Sequence, residues 1–259
     1  MRLALIPPVC MLHHTVKQEL QMLIPVGLDY ETYRRHYKYL GNSSSFHVIL
    51  DNGMFEGNIL DDQNLLELAA EYKVSEIVMP DVKDDPVETI ERQDAFLCHF
   101  DRWYQRQPIR APFIKLMAVV QGTDLGSRMD YIKFVGESDR TNITLGFPRR
   151  MTEDYEENDR LITMQWVVQE YHDQFPLHML GLSRSNPIEL RSVARELGPF
   201  VRGVDTSAPF VWAAEGGHLD CQDDIVERQA GYMLLEPAQL PGSLVRHNIG
   251  ILERWCRGE

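Results

Sequence analysis

Three carboxylates and one carboxamide close four apolar runs of this chain. FHVIL leads into Asp51, EIVMP into Asp81, LMAVV into Gln121 and FVRGV into Asp205. Two carboxylates can divide the cleavage of a glycosidic bond, one attacking the sugar carbon while the other moves protons. A further Asp and a Gln offer acceptors and a donor to the N–H and carbonyl edge of a purine-like ring. A single Asp after a strand is as often a helix cap or a loop residue. Four such ends, three of them with a nearby glycine (Gly53, Gly122, Gly203), favour a site.

Such residues need elements that present them together. Buried parallel strands read as continuous apolar runs, and barrel enzymes keep their chemistry at the C-terminal strand ends. The pattern predicts strands at 2–6, 46–50, 76–80, 115–120, 142–146, 177–182 and 200–204, with GYMLLEP at 231–237 as an eighth strand or the end of a helix. Between them lie helix-like segments at 30–39, 62–72, 85–105, 125–135, 153–171, 187–197 and 243–256. Asp61 and Asp62 before LLELAAEY, and Ser185 and Asn186 before Pro187, are helix starts. This βα alternation suits an eight-stranded α/β barrel, with a doubly wound sheet as the alternative on pattern alone.

At 259 residues, 44% hydrophobic and 25% charged, the chain is long enough for one compact domain with a large core. No apolar stretch approaches the roughly 20 residues that span a bilayer, and the start MRLALIPPVCMLHH is too short for a signal peptide, so a cytoplasmic protein is expected. Cys10, Cys98, Cys221 and Cys256 form no CxxC pair and read as reduced thiols. A net charge of −13 argues against a generally basic nucleic-acid coat, although local patches remain: Arg34, Arg35, His36 and Lys38; Arg149 and Arg150; Arg184 with Arg191. Each is equally well read as a solvated surface.

Several blocks resemble the tRNA-guanine transglycosylases and their DNA-acting relatives that insert 7-deazaguanines. LDNGMFEG at 50–57 resembles the family's D-S-G-G-F/Y-Q, and VMPD at 78–81 its M-x-F-D. VVQG at 119–122 matches its V-Q-G, HMLGLS at 178–183 resembles Y-L-M-G-V-G, and VDTSAPFVWAAEGG at 204–217 is similar to the archaeal F-D-S-A-x-Y-A-L-Y-A-x-D-G. The blocks come in family order over roughly residues 46 to 217. The resemblance implies a (β/α)8 barrel in which Asp205 is the nucleophile and Asp51 the second catalytic carboxylate. It further implies that Asp81 and Gln121 bind the heterocycle's polar edge, Phe55 stacks on the base, Leu180 covers the opposite face, and Gly146 permits close backbone approach.

The departures from the family are as informative. Its C-x-C-x-x-C zinc cluster is missing, with Cys221 alone, although RHNIGILERW at 246–255 resembles the segment that carries the zinc histidine. A minimal barrel without the zinc-binding subdomain is therefore expected, with His247 capping or packing and no metal or other cofactor. Glu56 stands where the family has Gln. The compact length and the lack of an RNA-binding appendage favour DNA over tRNA as the polymer partner, with a free base such as 7-cyano-7-deazaguanine entering. By resemblance this suits a phage or mobile-island modification system. A tRNA enzyme, a barrel hydrolase acting on nucleosides and a noncatalytic partner subunit are the alternatives, and retention of Asp51 and Asp205 speaks against the last.

Overall fold

The computed structural model describes residues 1–54, 57, 59–107, 113–138, 140–153, 158–183, 188–220 and 232–259. Eight strands alternate with helices: β1 (Arg2–Leu5), β2 (Leu20–Leu23), β3 (His47–Leu50), β4 (Glu76–Val78), β5 (Lys115–Val119), β6 (Ile143–Pro148), β7 (Leu177–Leu180) and β8 (Val201–Thr206). The helices are α1 (Glu31–Gly41), α2 (Asp62–Glu71), α3 (Pro86–Gln105), α4 (Leu125–Gly136), α5 (Arg150–Glu153), α6 (Asp159–Tyr171), α7 (Glu189–Leu197), α8 (Ala208–Ala214) and α9 (Gly242–Trp255). The sheet order is β1-β8-β7-β6-β5-β4-β3-β2, a (β/α)8 barrel arrangement. No helix among the described residues is long and apolar enough to cross a membrane.

The chain divides into two compact units, residues 22–146 and residues 1–21 with 147–259. In the first, β3, β4, β5 and β6 pair in parallel, with Leu50 opposite Ile77, Val78 opposite Met117 and Val119 opposite Gly146. Pairing continues beyond the strands, since the Met79 N–H donates to Met117 O at 2.9 Å and the Asp51 N–H to Leu23 O at 2.9 Å. Helix α3 buries Thr89, Gln93, Phe96 and Phe100, a single helical face. Asp85 caps it by accepting from the Glu88 N–H at 2.9 Å, and Pro86 occupies the first turn. Asp61 caps α2 in the same way, accepting from the Asn64 N–H at 2.8 Å. Asp61→Ala should therefore cost about 1 kcal/mol and lower the melting temperature by about 2–4 °C, read by calorimetry.

In the second unit β8 lies between β1 and β7, with Ala4 opposite Asp205 and His178 opposite Gly203. Arg160 on α6 and Glu189 on α7 are both buried, joined by Nε to Oε1 at 2.9 Å and by a second bond from Nη2 to Oε2. Arg160 Nη1 also donates to Gly181 O at 2.9 Å, so the paired guanidinium anchors the backbone just after β7. Gly181 has φ +76°, and a Cβ there would lie 3.0 Å from Arg149 Cδ, so both conformation and space call for glycine.

The strand missing from the sequence reading is β2. The candidate at 231–237 is not it: Tyr232–Leu234 forms a 3-10 turn, and 231 lies outside the described residues. Gln21 interrupts the apolar pattern of LQML yet is fully buried, its amide donating to Thr15 O at 2.8 Å. A 3-10 segment, Val9–Lys17, connects β1 to β2. Helix α8 also escapes periodicity, because six of its seven residues are buried and no polar face marks it. The helix start at 185–187 lies outside the described residues.

Candidate functional site

Three of the predicted residues follow adjacent parallel strands of the first unit. Asp51 comes directly after β3 and is half-buried, whereas Asp81 and Gln121, after β4 and β5, are 5% and 1% exposed. Asp81 and Gln121 are brought into one hydrogen-bonded network. Gln121 Nε2 donates to Asp81 Oδ2, and Asn52 Nδ2 donates to Asp81 Oδ1 at 2.7 Å and to Met79 O at 2.9 Å. The Gln121 carbonyl accepts from the Asp84 N–H at 3.1 Å, and Asn52 Oδ1 accepts from the Met54 N–H at 2.9 Å. Two amides with fixed orientation thus hold a buried carboxylate at strand ends, an acceptor of the kind that suits a ligand presenting N–H groups.

The surroundings of this carboxylate are equally ordered. Arg128, fully buried on α4, donates from Nε to Gly122 O at 3.1 Å, and the Tyr131 hydroxyl donates to Gln93 Oε1 at 2.8 Å. Burial pushes the Tyr131 phenol well above its ordinary range, with the Asp81 charge acting in the same direction, so it stays a neutral donor. Asn52 was not among the residues singled out in the sequence. Its partner Asp81 is 29 positions away, and nothing local distinguishes Asn52 from an ordinary turn residue.

Asp205 lies within β8 rather than after it and is 7% exposed. His178 Nε2, fully buried on β7, sits 3.1 Å from Asp205 Oδ1 and donates to it in the tautomer that carries the proton there. Among the described residues no hydrogen-bond partner is recorded for Asp205 Oδ2. One oxygen is therefore positioned and the other is uncommitted, an arrangement suited to a nucleophilic carboxylate. His178 stood in the block HMLGLS but drew no role there, because a histidine inside an apolar run carries no local mark.

The remaining expectations divide. Leu180 ends β7, half-buried, with its carbonyl accepting from the Arg149 N–H at 2.8 Å. Gly146 lies inside β6, and its carbonyl accepts from the Val120 N–H at 2.9 Å, so it is a strand residue rather than a strand-end one. Phe55 and Glu56 lie outside the described residues, as do Arg184 and Cys221. Cys10, Cys98 and Cys256 are free, and burial pushes the Cys256 thiol up to about 11.

The basic patch at 34–38 is consumed locally: Arg34 and Arg35 pair with Glu31, and Lys38 with Glu71. A groove of about 1020 Å³ opens between α2 and α3, apart from the candidate residues. Asp61, Asp62 and Glu67 there balance Arg92, Arg102 and Arg106, so it offers a polyanion no net attraction. His247, expected to cap or pack, lies mid-helix on α9, exposed, with its ring edge to face against His218. Together with His218 and Asp220 it forms a group whose potential ligand atoms all lie within 4.8 Å of one another. Compared with known proteins, the chain matches no protein-family model and no curated relative.

Proposed function

We propose that this protein is a base-exchange glycosyltransferase that replaces guanine in DNA with a 7-deazaguanine derivative. The observation that carries the reading is the Asp205 carboxylate, with Oδ1 next to buried His178 and Oδ2 uncommitted. In the proposed reaction Oδ2 attacks the anomeric carbon, the bond from carbon to base nitrogen breaks, and guanine leaves with a proton supplied through Asp51. The incoming base then gives up its ring N–H proton to the Asp51 carboxylate and its nitrogen attacks the same carbon, releasing the Asp205 carboxylate. The glycosidic bond is exchanged rather than spent, so no nucleotide cofactor is required.

The network around Asp81 supports the recognition half of the reading. A carboxylate between two oriented amides suits the ring N–H and exocyclic amine edge of a guanine-like base. A guanine in duplex DNA must leave the stack before its sugar carbon can be reached. Incubation with labelled guanine and either DNA or tRNA tests the proposal. The expected result is label entering DNA without abasic sites. Abasic sites without incorporation would indicate a hydrolase instead, and label confined to tRNA would move the activity to RNA.

A further inference from the structure

His178 reaches Asp205 through an irregularity in the ladder between β7 and β8. Leu177 lies opposite Val201, but the next residue, His178, lies opposite Gly203, which leaves Arg202 as the extra residue of a β-bulge on β8. A regular ladder would set His178 opposite Arg202. Side chains alternate faces along a strand, so His178 would then point away from the face that carries Asp205. The shift to Gly203, on the same face of β8 as Asp205, turns the imidazole toward the carboxylate, and Nε2 lies 3.1 Å from Oδ1. Gly203 itself adds no side chain there, and a Cβ on it would lie 2.5 Å from Arg2 O.

Both groups are buried, His178 fully and Asp205 at 7% exposed, so the contact is made away from competing water. An N–H donates more strongly to a carboxylate than to an ester carbonyl, because the ester carries no net charge. When Oδ2 bonds to the anomeric carbon, Oδ1 becomes the carbonyl oxygen of that ester, and the hydrogen bond from His178 weakens. When the bond from carbon to Oδ2 breaks, its electron pair returns to the carboxylate and the hydrogen bond regains its strength. The imidazole therefore favours departure of Asp205 from the sugar over its attachment, and keeps the ester from accumulating.

We propose that His178 is a positioning residue that promotes the second half of the base exchange, release of the glycosyl ester to the incoming base. The inference rests on the proposed function and adds an asymmetry between its two halves. In the release step the base nitrogen bonds to the anomeric carbon, its N–H proton passes to the Asp51 carboxylate, and the bond from carbon to Oδ2 breaks toward Asp205. Rapid-quench assays with a guanine-containing DNA oligonucleotide, followed by 7-cyano-7-deazaguanine, measure attachment and release separately. His178→Leu should slow release by about 10-fold or more and attachment by less, so that adduct accumulates above the wild-type level. His178→Gln, which keeps an N–H donor at similar reach, should bring release back to within about 3-fold of wild type. Equal slowing of both steps by His178→Leu, with no rise in adduct, would overturn the inference while leaving base exchange standing. NMR of the imidazole nitrogens, with the His178 signal identified by its loss in His178→Gln, should show Nε2 protonated, and an unprotonated Nε2 would overturn the inference without any assay. A wild type with Nε2 protonated that forms no adduct would overturn the base exchange itself, and this role with it.

Discussion

Asp205→Asn is expected to lower the proposed base exchange by at least about 10³-fold, equivalent to about 4 kcal/mol of barrier, in a protein that still folds. The substitution preserves the shape of the side chain in β8 and leaves an oxygen that can accept from His178. It removes the charge that lets Oδ2 attack carbon, and a neutral amide is a poor nucleophile. Single-turnover assays with labelled guanine, together with circular dichroism of the variant, would show the loss and the retained fold. Exchange near the wild-type rate would place the nucleophile elsewhere. Asp51→Asn should also be severely impaired, but through proton transfer, so it should still form some of the covalent adduct that Asp205→Asn cannot.

Asp81→Ala carries the second large effect. Removing a buried charged acceptor leaves the donors of the bound base unpaired, at a cost of about 2–5 kcal/mol in affinity for the free 7-deazaguanine. Under the proposed function DNA affinity should fall far less, because a polymer's affinity comes largely from its phosphates rather than from one base edge. The same change leaves the amides of Asn52 and Gln121 without the acceptor they share, so thermal stability should also drop. Calorimetry with base and with DNA separates the two losses. Unchanged base affinity in a folded variant would make Asp81 a structural residue.

What was legible in the sequence follows from the physics of burial. β5 shows as an apolar run because four of its five residues are buried, and α3 because its buried residues keep helical spacing. β2 was not legible, since Gln21, whose side-chain amide N–H donates to Thr15 O at 2.8 Å, breaks the apolar run although it is buried like its neighbours. α8 was lost for the opposite reason, being buried nearly all round. At the site, Asp81 and Gln121 were visible as polar ends of apolar runs. Asn52 and His178 were not, because their partners lie 29 and 27 positions away and only the parallel sheet brings them close.

The covalent step is the centre of the account, and intact-mass measurement tests it most directly. Protein incubated with a guanine-containing DNA oligonucleotide and quenched in acid should carry the oligonucleotide less one guanine, with the modified peptide mapping to Asp205. The adduct should disappear on adding a 7-deazaguanine, as the new base takes the sugar. Base exchange that proceeds with no adduct in any quench, or with the sugar linked to another residue, would contradict the account.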